Sequence, residues 1–115
     1  MHEPVIRSGD HILVGDGKKT LLFENCGNAL NPKFKMIQQM HSADPKGFSN
    51  ILSSLNKRYT KEQIARLHIV APPKALGGLR DSMSRSLRRC VVSEVDKDLT
   101  ELPVKNIERN LRQAS

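Results

Sequence analysis

Arg85, Arg88 and Arg89 stand at spacing i, i+3 and i+4, so one helical turn would gather three guanidiniums on a single face. A guanidinium is a rigid planar fork of N–H donors that matches the oxygens of a phosphate. Lys74 and Arg80 lie just upstream, and Lys57-Arg58 come before them; these seven residues form the candidate nucleic-acid-binding set. Glu94, Asp96 and Asp98 invite a second chemistry, carboxylates around a magnesium ion. Metal-assisted phosphoryl chemistry needs such groups to converge from several strands. The first strand offers only hydrocarbon at Ile12, Leu13 and Val14, with Asp16 in the turn beyond it. Asp98 is expected instead to turn the chain ahead of Thr100. Gly77-Gly78 lacks the Lys-Ser/Thr of a phosphate-binding loop and is expected to let its helix pack closely on a sheet. Ser82, Ser84 and Ser86 have no nucleophile-elbow context. His68, between Leu67 and Ile69, reads as a packed or surface strand residue rather than a base. Two cysteines and four scattered histidines offer no zinc spacing. No catalytic residue, metal ligand or cofactor is therefore assigned.

The elements that would carry these residues follow from hydrophobic periodicity. Residues 1–9 read as a polar, loosely ordered, flexible lead-in, and residues 10–115 as one domain. His11 to Val14 is a continuous apolar run, as expected of a central strand covered on both faces. Gly15-Asp16-Gly17 is turn chemistry, and Thr20 to Glu24 is the returning strand of a hairpin. Asn25 to Pro32 is loop. Phe34 to Met40 is a third strand, nearer an edge because it is more polar, with Phe34 and Met36 on one face. Asp44-Pro45 signals a helix start, after which Phe48, Ile51, Leu52, Leu55 and Tyr59 form one apolar stripe. Thr60 to Gln63 has capping-box spacing. Leu67 to Ala71 is a fourth strand, and Pro72-Pro73 opens a helix with Leu76, Leu79 and Met83 inward. Ser84 to Arg88 is a further turn, and Cys90 to Asp96 a fifth strand with Val91 and Val95 on one face. Pro103 opens a last helix burying Val104, Ile107 and Leu111. The resulting order, β-β-β-α-β-α-β-α, fits a ribonuclease-H-like α/β domain. Its mixed five-stranded sheet would carry helices on both faces, with strands one, four and five parallel.

Composition bounds the partners. The net charge of +7 comes entirely from residues 41–90, which hold ten Lys/Arg against three Asp/Glu. A localised basic surface suits polyanions such as RNA. Aromatic residues are scarce (Phe23, Phe34, Phe48 and Tyr59), which argues against a base-stacking platform. No apolar run approaches the ~20 residues of a membrane span, and the first residues lack a signal-peptide pattern, so a cytoplasmic location is expected. Cys26 and Cys90 are expected to be buried free thiols.

Three stretches resemble the bacterial host attachment protein family. They are Val14-Gly15-Asp16-Gly17 leading into Leu22-Phe23-Glu24, the run LHIVAPPKALGGLR from Leu67 to Arg80, and VVSEVDKDLTELP from Val91 to Pro103. The resemblance implies a fold like the middle domain of archaeal and eukaryotic release factors. It also exposes two departures. The long polar insert of the family shrinks here to about His41 to Pro45. Gly77-Gly78 is followed by Leu79 rather than the Gln of the release-factor Gly-Gly-Gln, so that hydrolytic motif is absent. The expectation is a non-enzymatic module that contacts RNA or the ribosome through its basic face. The alternatives are a nucleic-acid hydrolase with a degenerate site and an indirect part in host-cell attachment through a protein partner.

Overall fold

The computed structural model describes residues 5–16, 19–41, 64, 66–83 and 85–111. Five strands form one sheet: β1 (His11–Gly15), β2 (Lys19–Asn25), β3 (Phe34–His41), β4 (Leu67–Ala71) and β5 (Val91–Asp96). The described helices are α1 (Pro73–Ser82), α2 (Arg85–Cys90) and α3 (Val104–Leu111). The expected helix beginning at Asp44-Pro45, the Thr60 to Gln63 turn and the hairpin tip at residues 17–18 lie outside the described residues.

The order across the sheet is β3-β2-β1-β4-β5. β1 pairs antiparallel with β2, and β2 antiparallel with β3. β1 pairs parallel with β4, and β4 parallel with β5. The expected mixed sheet, its hairpin and its parallel trio are therefore all present, with β3 at one edge. β1 is buried throughout because its successive side chains serve two cores. Leu13 joins Leu22 and Ile69 beneath Leu76, Leu79 and Leu87 of α1 and α2. Ile12 and Val14 join Phe23 and Val70 beneath Ile107 and Leu111 of α3. Helices thus cover both faces.

Several local expectations change. β5 carries a register shift: Leu67 lies opposite Val91, but His68 lies opposite Ser93, which leaves Val92 as an extra residue. Such a bulge reverses the alternation of faces. Val91 therefore packs against the α1 core and Val95 against the α3 core, not on one face as unbroken alternation implies. In β3 the shift falls at Ile37, beyond Met36, so Phe34 and Met36 keep the common face expected of them, Phe34 buried and Met36 39% exposed. Cys90 ends α2 rather than opening β5. Both thiols are free, but Cys26 is exposed. Finally, Ile6 belongs to the α3 core although it falls in the stretch read as a loose lead-in. Gly9, at φ 87°, turns that segment into β1 and donates its N–H to the Asn25 carbonyl at 2.7 Å.

Candidate functional site

The basic cluster is built on α2. Leu87 and Cys90 are buried, which turns Arg85, Arg88 and Arg89 outward on this short helix. Arg88 is not a bare cation: its Nε donates to the Arg80 carbonyl at the end of α1 at 3.0 Å. The same carbonyl accepts the Met83 N–H at 3.3 Å, so backbone and Arg88 together close the end of the helix. Arg80 reaches across to β5, its Nε lying 2.9 and 3.1 Å from the two Glu94 oxygens. Arg80, Arg85, Arg88 and Arg89 are thus brought to the α1–α2 junction. Lys74 is exposed in the first turn of α1, about 9 Å along the axis from Arg80 at 1.5 Å per residue. Lys57 and Arg58 lie outside the described residues.

A second constellation spans the other face of the sheet. Asp10, His68 and Ser93 come from the foot of β1, from β4 and from β5. His68 is 1% exposed and Asp10 3%, while Ser93 is half-buried. The Asp10 carboxylate lies 2.8 Å from His68 Nε2, and His68 Nδ1 lies 2.6 Å from Ser93 Oγ. Arg66 Nε donates to both Asp10 oxygens at 3.0 and 3.1 Å, and the Arg7 N–H donates to Oδ2 at 2.9 Å. Since Asp10 accepts at Nε2, that nitrogen carries the proton, and Nδ1 is left to accept the Ser93 hydroxyl proton. Burial holds the His68 pKa below its ordinary value, against the opposing pull of Asp10.

This array escapes a sequence reading that asks only for a serine near a motif, because its members lie 58 and 25 residues apart. One signal was available. His68 is a polar residue between the apolar Leu67 and Ile69, and a buried polar residue is the informative exception; Asp10, beside His11, and Ser93, beside Glu94, carry no such contrast. What no periodicity could supply is the bulge at Val92, without which Ser93 would face the opposite core.

The other candidates resolve simply. Asp98 Oδ1 accepts from the Thr100 N–H and hydroxyl at 3.3 and 2.8 Å, the turn expected of it. Thr100 Oγ1 also lies 3.1 Å from Asp16 Oδ2, which ties that turn to the end of β1. Among the described residues no group of three or more His, Cys, Asp or Glu could hold a metal ion. Gly77 has open space where a Cβ would stand, so close packing on the sheet does not explain it. An open cleft of about 580 Å³ lies between residues 31–33 and α3, with Lys33, Lys105 and Arg109 on its rim. Among the described residues no helix is long and apolar enough to cross a membrane.

Fold and site together define an α/β domain with a mixed five-stranded sheet and a basic helix junction on one face. Residues 41–111 match the family described as "protein required for attachment to host cells". The match covers more than half of the chain, and the chain belongs to that family. It takes in the stretches Leu67–Arg80 and Val91–Pro103 but not the β1–β2 hairpin. A solved structure described as "Archaeal protein" is similar in fold, with a TM-score of 0.55 at 10% identity. The likeness covers 88% of this chain but 35% of that one, so this chain spans about a third of its length. No curated protein matches the chain.

Proposed function

We propose that this member of the host attachment family is a cytoplasmic polyanion-binding module, and that its basic face contacts RNA or the ribosome by binding rather than by turnover. The observation that carries this reading is the orientation of α2, which buries Leu87 and presents Arg85 and Arg89 to solvent. With Lys74, Arg80 and Arg88, and with Lys57 and Arg58, which lie outside the described residues, they make up the proposed binding set. Residues 10–115 act as one domain of the ribonuclease-H-like type seen in release-factor middle domains. The parallel β1-β4-β5 trio flanked by the antiparallel β2 and β3 supports that assignment.

RNA and ribosome retention across a salt series tests it. Each arginine–phosphate contact releases about 0.7 of a counterion from a single strand. Arg85→Ala/Arg89→Ala should therefore flatten the plot of log affinity against log salt by about 1.4. Arg88→Ala belongs in a separate arm, because it also removes the contact with the Arg80 carbonyl. Absence of binding at low salt would discard the polyanion role and leave attachment through a protein partner.

A further inference from the structure

We propose that Ser93 is a nucleophile for acyl transfer from carboxylic esters, with His68 as its general base and Asp10 as the residue that positions His68. This activity is separate from the basic face and goes beyond the binding role assigned to that face. Glu94, which holds Arg80, points to the α1 side of the sheet, whereas Ser93 lies opposite His68 on the α3 side.

Three observations converge on Ser93. The hydrogen bonds run in one direction, from the Ser93 hydroxyl to Nδ1 and from Nε2–H to the carboxylate, with the Asp10 charge held in turn by Arg66. This is the nucleophile–base–orienter logic of serine hydrolases. The two ring nitrogens exchange places relative to the serine proteases, which leaves the proton path unchanged because imidazole accepts at one nitrogen and donates at the other. The second observation is the bulge. Val92 drops out of register, and only that displacement brings Ser93 opposite His68. Bulges that re-aim a side chain are enriched beside active sites. The third is access: β5 is an edge strand and Ser93 is half-buried, while His68 and Asp10 are shut away from water. Burial keeps the imidazole in the neutral form that can accept a proton, and Asp10 opposes burial by favouring the charged ring that acceptance creates.

In the step so defined, Ser93 Oγ bonds to the ester carbonyl carbon as its proton passes to His68 Nδ1. The carbon–alkoxide bond breaks, and the alkoxide leaves with the proton from Nδ1. Water then attacks the acyl-serine, and its proton returns through Nδ1 to Oγ as the carboxylic acid departs. Throughout, Asp10 keeps the other nitrogen protonated and the ring in place.

The test is covalent. The whole chain is treated with a fluorophosphonate, which phosphonylates activated serines, and the adduct is mapped by peptide mass spectrometry. Hydrolysis of p-nitrophenyl acetate is followed in parallel. The expected result is a single adduct on Ser93, formed faster as pH rises and His68 loses its proton. Labelling should slow by about 100-fold or more in His68→Gln, the usual worth of a positioned base. Ser93→Ala should take no label and lose the turnover. No adduct, an adduct on another serine, or wild-type turnover in Ser93→Ala would overturn the proposal. The mapping on the wild-type chain decides the matter even where a His68 variant fails to fold. Asp10→Asn should keep the labelled residue while moving the pH midpoint of labelling; an unmoved midpoint would remove Asp10 from its positioning role.

Discussion

His68 shows how one side chain can link stability to chemistry. It sits 1% exposed between Asp10 and Ser93, and burial depresses its pKa below the ordinary 6.5. The folded chain therefore binds fewer protons at this site than the unfolded chain does. Its contribution to stability is present in full above pH 6.5 and is lost as pH falls below that value toward the depressed pKa. Urea unfolding between pH 7.5 and 5 should show stability dropping by up to about 1.4 kcal/mol per pH unit from this one group. Subtracting the same series for His68→Gln should remove that component; an unchanged slope would mean that the folded and unfolded chains bind protons equally at His68. Asp10 is the neighbouring test. Its carboxylate is buried against Arg66 and His68, so Asp10→Ala strands a partly buried cation. The expected cost is about 3 kcal/mol, the low end for breaking a buried pair because Arg66 keeps some solvent. Denaturant midpoints read it directly.

At the scale of elements, the helices carry opposite lessons. α1 contains Gly77 with nothing near its missing Cβ and no positive φ to demand glycine. Gly77→Ala should therefore stabilise the fold by up to about 1 kcal/mol, the difference in helix propensity between the two residues. Thermal unfolding would show it as a raised Tm, and a lowered one would mean that glycine serves something outside the described contacts. α2 spans only Arg85–Cys90. A helix that short has no stability of its own in water and persists through its packing. Leu87, fully buried in the α1 core, is that anchor. Leu87→Ala should cost about 2–5 kcal/mol. It should also weaken polyanion retention without removing a charge, because Arg85 and Arg89 would lose their common face.

At the scale of the molecule, the sheet separates two surfaces. The arginines stand over the Leu13–Leu22–Ile69 side, and the Asp10–His68–Ser93 row lies on the Ile12–Phe23–Val70 side. Sites that share no partners behave additively. Ser93→Ala should accordingly leave the salt dependence of RNA retention unchanged, and Arg85→Ala/Arg89→Ala should leave phosphonylation of Ser93 unchanged. Cross-effects in either direction would mean that the faces communicate. Polyanion affinity should not vanish in the double arginine variant, because Lys33, Lys105 and Arg109 rim a separate cleft beside α3.

The strands of the sheet were legible in the chain, β1 and β4 most plainly, because these two are continuous apolar runs, and such runs belong to strands covered on both faces. The i, i+3, i+4 arginines and the Pro72-Pro73 helix start were equally local, and local geometry places them as the spacing implies. The tertiary structure decided what depends on register. A single unpaired residue, Val92, sends Val91 and Val95 to opposite cores and Ser93 to His68, and no side-chain pattern announces it. Asp10, His68 and Ser93 become neighbours only when three strands lie side by side. Their contact is a property of pairing across the sheet, which residue types and spacing along the chain do not encode.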